Sequence, residues 1–196
     1  MISESLAFIE AELNNYFILK GEVGATIDAV TLGNITRANE PSTTTGAGDD
    51  MDNRVVITLI NVEEDRISKS QLNYHKENNK VIYKNPKIPL NLYCLFSVNH
   101  DYTTSLRWLA HVIRFFQYRN VFTPQTSPAL NVGVEKLIFD LYNMNFEQVN
   151  HLWGTLGGKY LPSVMYKMRL VMIEEDSINN QADPITGLSI TAGNKN

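Results

Sequence analysis

Residues 54–64 read RVVITLINVEE. Five of the six residues from Val55 to Ile60 are β-branched, which stiffens χ1 and favours an extended, packed backbone. Apolar side chains occupy both faces at the start of the run, so it predicts a central strand rather than an edge. A second run, LNLYCLFSV at 90–98, has the same character. Leu90, Leu92, Cys94, Phe96 and Val98 share one face, and Tyr93 and Leu95 the other.

Working outward, Leu6, Ile9, Leu13, Tyr16 and Phe17 recur at steps of three and four between Glu4, Glu10, Glu12 and Asn14, the pattern of an amphipathic helix. Ser3 can cap it, and Gly21 and Gly24 break it. Residues 25–32, ATIDAVTL, read as a strand. Residues 103–118 read as a helix with its stripe at Leu106, Leu109, Ile113 and Phe116, Val112 beside it, and Asp101 or Thr103 as cap. Residues 122–128, FTPQTSP, are a turn-rich loop. In 134–141, VEKLIFDL, Leu137, Phe139 and Leu141 share one face. Asn145 and Gln148 have capping-box spacing ahead of a helix over 146–156, which Gly157-Gly158 stop. Residues 162–175, PSVMYKMRLVMIEE, read as a long strand.

This order predicts an α+β fold: a mixed β-sheet of about five main strands with helices packed on it. A chain of 196 residues is expected to form one domain, 1–175. Within it the polar stretch 37–53 is expected to be a mobile loop, and 65–87 a hairpin arm turning at KENNK, 76–80. Residues 176–196 lack periodicity and are expected to form a flexible C-terminal tail.

The formal charge is −4, from 17 basic and 21 acidic residues. That leaves no basic excess for phosphates, so no nucleic-acid partner is expected. The start, MISESLAFIEAELNN, has acids where a signal peptide has a basic region. The longest uncharged apolar stretch, 88–98, is too short to span a bilayer. The expectation is cytoplasmic synthesis and no direct membrane contact.

The search for reactive chemistry finds no motif. The single cysteine, Cys94, sits mid-strand among apolar neighbours and reads as a buried, inert thiol. His75, His100, His111 and His151 form neither HxxxH nor HExxH. His100-Asp101 reads as a helix cap. The acidic runs 63–65 and 174–176 read as solvated strand exits, with Mg²⁺ binding as the alternative. Gly154, Gly157 and Gly158 end a helix rather than open one, so Lys159 does not belong to a phosphate loop. No catalytic residue, metal or cofactor is expected. One helix gathers Arg107, Trp108, Arg114, Phe115, Phe116, Tyr118 and Arg119, residue types favoured at interfaces. The alternative is that its aromatics are core and its arginines solvated.

Three strings are familiar: Asn91–Phe96; Ile113-Arg-Phe-Phe-Gln117 with Val121-Phe-Thr-Pro124; and Leu152-Trp-Gly-x-Leu-Gly157 with Lys159-Tyr-x-Pro-Ser-Val164. With the opening helix, Leu32-Gly-Asn34 and Leu59–Glu64, the chain from residue 1 to about 174 resembles the cap, or tail-terminator, proteins of contractile injection systems, which are phage-tail-like particles. The resemblance implies a structural protein that forms a six-fold ring. The ring ends the inner tube and anchors the last ring of the sheath, so its partners are further copies of itself, the tube protein and the sheath protein. Such a ring is a closed head-to-tail assembly. Arg114, Gln117, Arg119, Phe122, Thr123 and Pro124 are the expected interface residues. Two other readings stay open: an assembly adaptor or chaperone not retained in the particle, and an enzyme built on the carboxylate runs or Cys94.

Overall fold

The computed structural model describes residues 2–37, 51–65, 74–77, 80–83, 89–130, 133–157, 159–172 and 180–182. In chain order the elements are α1 (Ile2–Leu19), β1 (Val30–Leu32), a 3-10 turn (Ile35–Arg37), β2 (Arg54–Glu64), β3 (Tyr74–Glu77), β4 (Lys80–Tyr83) and β5 (Leu90–Asn99). There follow α2 (Tyr102–Tyr118), β6 (Val121–Phe122), β7 (Val134–Tyr142), α3 (Phe146–Thr155), β8 (Ser163–Met172) and β9 (Asn180–Ala182). Of the stretches expected to be loop, arm and tail, 38–50, 66–73, 78–79, 84–88, 176–179 and 183–196 lie outside the described residues.

The main sheet is six-stranded, ordered β1-β2-β5-β8-β7-β6. Only β1–β2 is parallel, so the sheet is mixed. The two β-branched and apolar runs lie side by side inside it, with Ile57 opposite Phe96 and Phe96 opposite Val164. Register shifts between Leu59 and Asn61, a bulge that leaves the acidic end of β2 exposed. Strand alternation then sorts the side chains. Ile57, Leu92, Cys94, Phe96 and Met168 pack with α1 and α2, whereas Val56, Leu95 and Met165 pack with Trp153 of α3, Ile35 and Met51.

The sheet has six strands rather than about five. Val121 and Phe122, the second of them expected to open a turn-rich loop, pair with Ile138 and Leu137; two residues are too few to show a period. The strand expected over 25–32 shortens to three residues. Helix α2 is also rotated about its axis relative to the expected stripe. Its buried face is Ser105, Trp108, Val112, Phe115 and Phe116, and Leu106 and Ile113 are exposed. The aromatic rings bury the larger area: Phe116 stacks on Phe139 at 4.4 Å and meets Tyr166 at 4.5 Å.

Helix α1 closes the sheet. Asn14 and Glu10, one turn apart, hydrogen-bond the backbone of β1, while Phe8 packs edge-on against Phe122 of β6 at 5.6 Å. Strands β1 and β6 are opposite ends of the sheet order, so the sheet is curled until one helix touches both. A second sheet, β3-β4-β9, is separate. In it Ala182, Gln181 and Asn180, within the expected tail, pair with Val81, Ile82 and Tyr83. Among the described residues no helix is long and apolar enough to cross a membrane.

Candidate functional site

The six residues expected at an interface cluster around the C-terminal corner of α2, where they divide into two sets. Arg114 and Gln117 lie on the exposed face of the helix. Arg119 is the helix C-cap; its extended backbone (φ −144°, ψ 99°) ends the helix, and its N–H donates to Phe115 O. From there its guanidinium lies over the Phe122 ring at 4.7 Å, donates to Thr126 O at 2.7 Å and to Ser127 Oγ, and faces Glu12 of α1 at 3.5 Å. A planar cationic fork on an aromatic face suits several partners at once. Phe122 itself is fully buried, between Phe8, Phe115 and Phe139. Thr123 and Pro124 are half-buried in a turn closed by Thr126 N–H and Ser127 N–H donating to Thr123 O. Arg119 and Phe122 therefore bind α1, α2 and β6 together within the subunit, and Thr123 closes the turn that follows.

Sequence reasoning assigned Leu106 and Ile113 to the core, and so missed that they stand on the surface near Arg114. Their spacing of seven along the helix is the same as that of Trp108 and Phe115, which are buried, so periodicity alone could not separate the two faces. The far end of the helix is tied down instead. Glu22, just beyond α1, accepts from Trp108 Nε1 at 3.2 Å and pairs with Arg107 Nε at 3.0 Å and His111 Nε2 at 3.0 Å.

The reactive candidates resolve in the same way. Cys94 is buried, and burial pushes its thiol up to about 12, far from the range of a nucleophilic thiolate. Asp101 caps α2, its carboxylate accepting from Thr104 N–H at 3.2 Å; hydrogen bonds from Thr104 hold its carboxyl below the usual range. The capping box at Asn145 and Gln148 is present in both directions, at 2.8 and 2.9 Å. Glu63 accepts from Tyr93 Oη at 3.0 Å and Asn61 Nδ2 at 3.1 Å. Among the described residues no three His, Cys, Asp or Glu side chains group as metal ligands; Glu174, Glu175 and Asp176 lie outside them.

A curled mixed sheet, closed by one helix and flanked by two more, defines an α+β domain of the tube-terminator fold. The Pvc16 N-terminal domain family matches residues 6–187, and the chain belongs to that family. The match runs past residue 175 and takes in β9. Two solved structures share the fold. One is the PVC sheath/tube terminator of an extracellular contractile injection system in its extended state, with TM-score 0.62 and 14% identity. That alignment covers 100% of this chain and 64% of the other. The second is the tube-terminating cap of the anti-feeding prophage, with TM-score 0.51 and 12% identity over 81% of this chain and 57% of the other. The chain thus spans less than two thirds of either terminator's length. No curated protein sequence matches.

Proposed function

We propose that this protein is a structural cap of a contractile injection system: a six-fold ring that ends the inner tube and anchors the last ring of the sheath. The observation that carries the reading is that the whole chain follows the fold of a sheath/tube terminator. The reading assigns the protein no catalytic role; it works by contact, as a soluble component of a phage-tail-like particle assembled in the cytoplasm.

The closed edge of the sheet bears on how copies would join. With α1 occupying the outer backbone of β1, neighbouring subunits do not extend one another's sheet across that strand. In this reading the outer face of α2, with Arg114, Gln117 and the exposed Leu106 and Ile113, carries a subunit contact, while Arg119, Phe122, Thr123 and Pro124 hold the corner that presents it. A ring contact is heterologous, so this face meets a different surface on the next copy.

The test is deletion of the gene in its host, with tube and sheath lengths measured by electron microscopy. Overlong tubes, or tubes without stable sheath, are the expected result. Particles of normal length with an ordered cap would replace this reading with that of an assembly adaptor.

A further inference from the structure

We infer that the outer face of α2 meets a groove on the α3 side of the next copy, where Ile113 enters an apolar floor and Arg114 meets the Glu63 carboxylate. This deepens the cap reading and rests on it. Helix α2 contains no acidic residue. Its Arg107 is taken by Glu22, whereas among the described residues Arg114 makes no ion pair. Arg114 is therefore a solvated cation beside Ile113, which is 38% exposed, and Leu106, two turns earlier, is 47% exposed.

The groove has a volume of about 230 Å³, and its walls include Ile60, Tyr93, Tyr142, Met144 and Leu152. The two tyrosine rings meet edge to face at 5.1 Å. Among the described residues that line it, only Glu63 is charged. The β2 bulge brings Glu63 there. Val55, Ile57 and Leu59 alternate onto the α1 and α2 side of the sheet, and unbroken alternation would carry Glu63 to that side too. The register shift sets Asn61 opposite Tyr93 instead and turns Glu63 to the groove. Its described partners, Tyr93 Oη and Asn61 Nδ2, are neutral donors, so the carboxylate keeps its charge and has acceptor sites to spare. An apolar floor with an anion at its edge fits an aliphatic side chain followed by a cation. The volume is below the roughly 300–1,000 Å³ of small-molecule sites, which favours side chains as occupants. The two surfaces lie on opposite sides of the sheet. A two-fold dimer would need both on one side, so this contact propagates head to tail, as a ring requires.

The test restores the deleted gene in its host with the full-length chain or a variant, and scores by electron microscopy the fraction of particle ends that carry a cap. Arg114→Glu and Glu63→Arg are each expected to lower that fraction by about tenfold or more, because like charges then meet. The double reversal is expected to return it to within about twofold of the wild-type chain. Circular dichroism of the purified variants checks that they fold. If a reversal does not fold, Arg114→Gln and Glu63→Gln carry the test, each with a loss of about two- to fivefold and no added loss when combined. Single variants that cap normally would overturn the contact and leave the cap reading standing. Single losses that the double reversal does not restore would overturn the second copy as occupant, in favour of the tube or sheath protein. Bare ends with the wild-type chain would overturn the cap reading and this contact with it.

Discussion

The side-chain amide of Asn14 pairs with the backbone of Val30 in both directions: Nδ2 donates to Val30 O at 2.9 Å, and Val30 N–H donates to Oδ1 at 2.8 Å. A helix side chain thereby stands where the next strand of the sheet would be. One turn earlier, Glu10 accepts from Leu32 N–H at 3.0 Å. Together they engage Val30 N–H, Val30 O and Leu32 N–H on the outward side of β1, and an edge strand so covered has little free ladder to offer another chain.

Asn14→Ala is expected to lower stability by about 1–3 kcal/mol, the cost of leaving a buried polar group unmet, and to promote aggregation through β1. The urea midpoint at constant slope measures the first effect and light scattering the second. An unchanged midpoint would show that the edge needs no cover.

Glu10 gives a pH prediction. Burial, the largest influence, raises its carboxyl above the usual 4.5, and the Leu32 N–H that favours the ionised form offsets this only in part. A folded state that holds the proton more tightly than the unfolded one loses stability as pH rises. This contribution is fully present below the ordinary value and lost as pH climbs through the raised one. Glu10→Gln should flatten that decline while keeping the acceptor for Leu32, as denaturation midpoints at pH 4 to 8 would record.

Arg119 and Arg114 should separate folding from assembly. Arg119→Ala removes a guanidinium shared by Glu12, Phe122, Thr126 and Ser127, with an expected loss of about 1.5–3 kcal/mol by analogy with charged hydrogen bonds. Lysine should not restore it, because it lacks the planar fork. Arg114→Glu, on the exposed face, should change stability by less than about 0.5 kcal/mol yet reduce cap occupancy on purified particles. Normal occupancy would move the subunit contact elsewhere.

Truncation after residue 176 tests how independent the two sheets are. The main sheet contains nothing beyond Met172, so cooperative unfolding should survive. Strand β4 loses its β9 partner, and amide exchange at Val81 and Tyr83 should quicken. Loss of cooperative unfolding would make the C-terminal segment part of the domain.

Phe96→Asp places a charge among Phe116, Tyr166 and the rest of the core and should prevent folding. The same change at Leu59, half-buried beside the bulge, should cost less. Soluble, folded Phe96→Asp would contradict the central place of β5, as circular dichroism and size exclusion would show.

Much of this fold is legible locally. The runs at 54–64 and 90–98 announce inner strands, because β-branched and apolar side chains on both faces need cover on both sides; that they lie side by side is seen only in the fold. Asp101, Asn145 with Gln148, and Gly157 mark helix ends, each by chemistry within a few residues; Gly157 adopts φ 97°, which other residues rarely tolerate. The strings that resemble terminators pointed to the family to which the chain belongs.

The sequence by itself determined which of the longer segments are helix or strand, that the domain is α+β, and its kinship with tube terminators, because periodicity, caps and ordered motifs are properties of neighbouring residues. Only the tertiary structure decided which face of α2 is buried, that Val121 and Phe122 form an edge strand, that residues 180–182 pair with β4, and that Arg119 serves the subunit's own corner. Each of these depends on partners distant in the chain, and two helix faces of equal periodicity are distinguished only by what lies opposite them.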